Sequence, residues 1–221
     1  MSAPDISRQI VGLIRVTEGI VEAYDSIKDL YSLPEAFQEV NKQLPLVSQT
    51  LRDAKGPAKK LKPADDAKAL ETVLYSCGEK AGKLLETFQK IGKKSKDQYD
   101  SSVYREIIIK QGQQRVETLM AGILEDLRAM VLHKIFLGQM QRQIEPLAKA
   151  REELAGISPS LADSDLTEQP RAASQYGDNN RQYNLFGEGT QKVADGHYFE
   201  AKGNQNFGMI PGKESVETMV A

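Results

Sequence analysis

The chain has 221 residues, 31 acidic and 29 basic side chains, a formal net charge of -2, one cysteine, two histidines and no tryptophan. This length holds one domain of ordinary size plus an appendage. The near-neutral balance gives no support to a dedicated nucleic-acid binder, and the lone Cys77 excludes an internal disulfide framework or a cysteine-rich metal site. The N-terminus lacks the basic, apolar and small-residue regions of a secretory signal, and no window reaches the roughly 18 to 20 uncharged apolar residues of a membrane span. A protein made in a reducing cytosol is expected.

The first helix is announced by Ile6, Ile10, Leu13, Thr17, Ile20, Tyr24, Ile27 and Tyr31, which step by four and three as one buried stripe does. Val11, Ile14, Val16 and Val21 widen that stripe over its first half, so "IVGLIRVTEGIV" reads as apolar nearly all round. A second helix is predicted after Ser32, with Ser32 and Glu35 as a capping box and Phe37, Val40, Leu44, Val47 and Leu51 as its stripe. Pro45 inside it predicts a kink or break. The stretch "KGPAKKLKPADD", residues 55 to 66, reads as a loop, and Asp65 and Asp66 suit the first turn of a third helix.

That third helix carries Leu70, Val73, Leu74, Cys77, Ala81, Leu84, Leu85, Phe88 and Ile91, which makes Cys77 a core thiol. After a "GKKSKDQYD" loop, "VYREIII" suits strand or helix. Val116, Leu119, Met120, Ile123, Leu124, Leu127, Met130 and Val131 hold the helical period over four turns. Met140, Ile144, Leu147 and Leu154 continue into a last helix, with interruptions expected at Gly138 and Pro146. The sum is an all-α antiparallel bundle of about five to seven helices.

No constellation in the sequence supports chemistry, so neither an enzyme, a cofactor nor a metal site is expected. His133 and His197 fall in different regions, and "GMIPGKES" has three residues between its glycines and Glu after Lys213, which a phosphate loop does not tolerate. The first helix is more informative. Its twelve most apolar residues span only about 18 Å against a hydrocarbon core of about 30 Å. Arg15, Glu18 and Glu22 would each cost about 2.5 to 3.5 kcal/mol at mid-bilayer, so a lone copy should not insert. Ile6, Ile10, Val11, Leu13, Ile14, Val16, Ile20 and Val21 are its candidate membrane-active residues, and Lys59, Lys60 and Lys62 are candidate headgroup contacts.

Beyond Gly156 the period disappears. Residues 157 to 174 are polar and proline-punctuated, the composition of a flexible linker. Nine Asn or Gln residues then lie between Gln175 and Asn206, interleaved with aromatics and glycines, and no proline occurs between Pro170 and Pro211. Too few aliphatics are present to offset chain entropy, so a disordered monomeric tail is expected. Asn and Gln ladders, stacked aromatics and glycine arcs are also the ingredients of a fibril core. "QYNLFGEGTQ" and "EAKGNQNFG" form a loose repeat, whereas Lys192, Asp195, Glu200 and Lys202 oppose unprompted aggregation.

"LYSLPEAFQEVNKQLPLVSQTL", residues 30 to 51, and "KQGQQRVETLMAGILEDLRAM", residues 110 to 130, resemble the fungal SesA domain. "FGEGTQKVADGHYFEAKGNQNFG" is similar to the sigma motif, a prion-type amyloid sequence of fungal signalling clusters. On the resemblance, residues 1–156 are a SesA-like, HeLo-like bundle, 157–174 the linker, 175–210 the prion-forming motif and 211–221 a disordered end. The motif residues are Tyr183, Asn184, Phe186, Gly187, Gly189, Thr190 and Gln191, followed by Phe199, Gly203, Asn204, Gln205, Asn206, Phe207 and Gly208.

The resemblance implies a stand-alone effector of programmed cell death or heterokaryon incompatibility. A NACHT or other P-loop NTPase receptor bearing its own sigma-like motif is the implied partner. It would template the tail into amyloid and so make the effector a homo-oligomer. The crowded bundles would then release the first helix to the plasma membrane, which makes membrane contact conditional on activation. The competing expectation is a non-toxic adaptor that assembles a complex through the same tail.

Overall fold

The apolar periodicity builds helices over most of residues 6–59, 67–112 and 114–166, which are the residues described by the computed structural model. In chain order these are α1 (Ile6–Asp25), α2 (Glu35–Ala58), α3 (Ala67–Lys94), α4 (Ser101–Gln111), α5 (Val116–Leu132), α6 (Lys134–Met140) and α7 (Ile144–Ala155). A 3-10 turn, Gln141–Gln143, joins α6 to α7, and the single turn α8 (Asp163–Leu166) follows. The chain divides into two units, Met1–Gln169 and Pro170–Ala221, and every described residue belongs to the first. That unit is the all-α antiparallel bundle expected from the sequence.

The centre of the bundle is α5. All eight residues of its stripe, from Val116 to Val131, are at most 2% exposed. It packs between α3 and α7, with α2 laid across it, while α1 packs on α3 and α2 at the edge. An aromatic cluster closes one end: the ring of Phe37 lies 5.2 Å from Tyr104, edge-on, 5.7 Å from Phe88 and 5.6 Å from Tyr99. Such tilted contacts add about 0.5 to 1.5 kcal/mol each beyond the area they bury.

Several local expectations are corrected. The Ser32–Glu35 capping box does not form: α2 is entered through Pro34, with no side-chain cap. Tyr31 is the reason. Its N–H donates to the Asp97 carbonyl at 3.1 Å and its carbonyl accepts from Tyr99 N–H at 3.0 Å, a parallel bridge that ties the α1–α2 loop to the α3–α4 loop. The chain then turns through Ser32 at φ 64°, and the fixed φ of Pro34 (-58°) leads into the helix. This bridge also leaves the Tyr31 ring 75% exposed, outside the stripe to which its spacing assigned it.

Neither Pro45 nor Pro57 breaks α2, which runs on to Ala58, so residues 55–58 are helix rather than loop. Leu44, Val47, Leu51, Ala54 and Ala58 are all buried on one face, and that packing outweighs one missing backbone bond at each proline. Asp65 and Asp66 lie outside the described residues.

"VYREIII" resolves as helix α4: Asp100 caps it, accepting from Ser102 N–H at 2.8 Å, and Gly112 ends it at φ 59°. The last helical region is interrupted at His133 and at Gln141–Gln143, not at Gly138 or Pro146. Gly138 lies within α6. Pro146 falls in the first turn of α7, where its missing N–H would have had no intrahelical acceptor.

Candidate functional site

Helix α1 has two faces. Ile6, Ile10, Leu13, Ile20 and Ile27, the last in the turn beyond it, are at most 5% exposed. Arg8, Gly12, Arg15, Glu18 and Glu22 face solvent. Of the remaining candidate membrane-active residues, Ile14 is buried at the margin, Val11 and Val16 are half-buried, and Val21 is 38% exposed. The helix that reads as apolar nearly all round is therefore a two-sided edge helix. Among the described residues no helix is long and apolar enough to cross a membrane.

The seat of α1 is aliphatic. Five buried aliphatic side chains contribute roughly 8 to 15 kcal/mol as an upper bound. Thr17, the polar member of the stripe, is satisfied within its own helix, its hydroxyl donating to Leu13 O at 2.8 Å. Gly19 leaves room for the Leu85 methyls, 3.5 Å from where a Cβ would stand. At the rim Arg52 Nη2 meets Glu18 Oε1 at 3.3 Å with both side chains more than half exposed, an interaction worth about 0 to 1 kcal/mol. Gln9 Oε1 is enclosed without a donor among the described residues.

Other seams are fixed by polar locks. Between α3 and α5, Lys80 Nζ donates to Asp126 Oδ2 at 2.6 Å with both side chains mostly covered. Beside it lies Cys77, 1% exposed, whose thiol is pushed up to about 12 by burial and then by the Asp126 charge. Where α2 meets the 3-10 turn, Asp53 accepts from Gln143 Nε2 at 2.9 Å and Arg142 Nη2 at 3.2 Å, and also from Gln49 Nε2 at 2.7 Å. Burial alone would raise the Asp53 pKa, but these three hydrogen bonds and the Arg142 charge hold it below the usual carboxylate value.

The most connected polar group lies where composition predicts a linker. Residues 157–166 form a strap across α4 and α5, with Ser160 and Leu161 buried. Ser160 donates through Oγ to Glu117 Oε2 at 2.6 Å and through its N–H to Glu117 Oε1 at 3.2 Å. Ser160 has one hydroxyl proton and the carboxylate only accepts, so in the 2.7 Å contact with Tyr104 the phenol must be the donor. The Tyr104 oxygen in turn accepts from Val116 N–H at 2.9 Å, at the start of the central helix. Burial raises the Tyr104 pKa far above its ordinary value, which keeps that phenol protonated. Arg115 also pairs with Asp163 of the strap.

None of Tyr104, Glu117 or Ser160 carries a local signal in the sequence, because 56 and 43 positions separate Ser160 from its partners.

Of the candidate headgroup contacts, Lys59 is exposed just beyond α2, whereas Lys60 and Lys62 lie outside the described residues. So do all the motif residues from Tyr183 to Gly208. Among the described residues no three His, Cys, Asp or Glu side chains converge on a metal position.

No curated protein and no solved structure matches the chain. One family model does, SesA, described as the N-terminal domain on NACHT NTPases and P-loop NTPases, over residues 10–130. The matched interval runs from within α1 almost to the end of α5 and so includes most of the edge helix and of the central helix, with α2 and α3 between them. The family model thus describes the larger part of the bundle, and the chain belongs to the SesA family.

Proposed function

We propose that this SesA-family chain is an effector of fungal amyloid-based signalling in programmed cell death and heterokaryon incompatibility. A NACHT-type receptor with a similar sigma motif templates residues 175–210, the tails stack, and the bundles are concentrated along the fibril. The observation that carries this reading is the pairing, in one chain, of a SesA bundle over 10–130 with a proline-free, Asn/Gln-, Gly- and aromatic-rich segment between Pro170 and Pro211. Glu188, Lys192, Asp195 and Lys202 inside that segment suit a motif that assembles on a template rather than alone.

The edge helix supports the membrane half of the proposal. An aliphatic stripe backed by a charged face can exchange the bundle for a lipid interface, or line water when several copies are crowded. The test uses the intact protein and a version lacking residues 175–221, each with anionic liposomes and preformed fibrils of peptide 175–210. Seeded leakage by the intact protein alone is expected. Equal leakage without the tail refutes the gating, and a peptide that never forms seedable fibrils refutes the motif.

A second reading, a non-toxic adaptor, is favoured by the absence of any described helix able to span a bilayer. Cells expressing residues 1–169 fused to an inducible oligomeriser separate the two: death supports the membrane-active effector, survival the adaptor.

A further inference from the structure

We propose that Ser160 is a phosphorylation site and that its modification ejects the strap formed by residues 157–166. Ser160 gives its one hydroxyl proton to Glu117, 2.6 Å away, and takes one from Tyr104. Phosphorylation by a Ser/Thr protein kinase breaks that O–H bond, with the proton passing to the kinase's base. The Oγ–P bond forms as the bond from the γ-phosphorus to the bridging oxygen of ATP breaks, and ADP leaves. A group of charge about -2 then stands where a donor stood, against a carboxylate. The two cations that line the cleft beside the strap are already paired, Arg115 with Asp163 and Arg151 with Glu125 at 3.6 Å, so the phosphate would compete with carboxylates for both.

The strap can reach a kinase because it is held at few points. Ser158, Pro159, Ala162 and Ser164 are exposed, Ser160 and Leu161 are the buried residues between Gly156 and Leu166, and Ile157 and Leu166 at the two ends are half-buried against the core. Local opening of so shallow a segment requires none of the core helices to move. Once the segment is out, "SLADSD" presents acidic residues at the third and fifth positions after Ser160, the pattern that acid-directed kinases accept. The modified chain cannot return to its seat, so transient opening becomes a lasting release. This proposal is independent of tail assembly, since its readout is the strap itself.

The test treats the full chain with an acid-directed Ser/Thr kinase and magnesium ATP, maps the phosphate by mass spectrometry and follows amide exchange. Phosphate on Ser160 is expected, with exchange over 157–166 rising about tenfold or more while α5 stays protected. Ser160→Glu should reproduce the rise in unmodified protein, and the phosphorylated Glu117→Gln protein should show a smaller one. Ser160→Ala, melting cooperatively, serves as the check that the seat is not needed for folding. No incorporation, phosphate confined to Ser158 or Ser164, or unchanged strap exchange on modified Ser160 overturns the proposal.

Discussion

Glu117 grips Ser160 at two points, its Oε2 accepting from the hydroxyl at 2.6 Å and its Oε1 from the backbone N–H at 3.2 Å. The carboxylate stands on the central helix α5 and the serine on the strap that follows α7, so this pair ties the segment after α7 back to the central helix. Tyr104 completes the arrangement by bonding both Ser160 and the first N–H of α5.

Replacing Tyr104 by Phe removes one donor and one acceptor from a fully buried position while keeping the ring in the aromatic cluster. The expected cost is about 1 to 3 kcal/mol, read as a lower urea midpoint at unchanged slope. An unchanged midpoint would show that the phenol's bonds are replaced by water.

Ile10 and Val21 belong to the same apolar segment but have opposite environments, 0% and 38% exposed. Ile10→Ala should destabilise by about 2 to 5 kcal/mol, whereas Val21→Ala should stay within about 0.5 kcal/mol. Comparable losses in thermal melts would contradict the two-faced placement of α1.

Cys77 should resist alkylation. Its thiol is 1% exposed and its pKa is pushed up to about 12, so native protein at pH 8 should react with iodoacetamide at least about 100-fold more slowly than protein in denaturant. Similar rates in the two conditions would mean that the α3–α5 seam opens readily.

Asp53 couples the α2 seam to acid. Its folded pKa lies below the unfolded value of about 3.9, so its stabilising contribution is complete above that value and is lost as pH falls through the folded one. Glu153, lowered by its hydrogen bond to and the charge of Lys42, acts with the same sign. The stability gap between the wild type and Asp53→Asn, measured by denaturation from pH 7 to pH 2, should narrow below about pH 4. A constant gap would exclude the carboxylate charge as its source.

Much of the helix pattern was legible in the residues. Where a stripe keeps its period, as from Val116 to Val131, burial follows the spacing. Punctuation was less reliable: Pro45 and Pro57 sit inside α2 because a buried face outweighs a missing bond, and Ser32, in capping position, turns at φ 64° beside the bridge that Tyr31 makes with Gln98. On the candidate membrane helix, spacing identified Ile6, Ile10, Leu13 and Ile20 as buried, but it could not tell that Val21 faces water.

What the sequence by itself determined is the all-α class, the core status of Cys77 and the compositional break after Gly156. These depend on local period and composition, which each segment carries alone. Only the tertiary structure decided that α5 is central and α1 peripheral, and that residues 157–166 are strapped to the bundle through Tyr104, Glu117 and Ser160. Those facts depend on which faces meet between segments distant in the chain, 43 positions apart for Glu117 and Ser160, and no local pattern encodes that pairing.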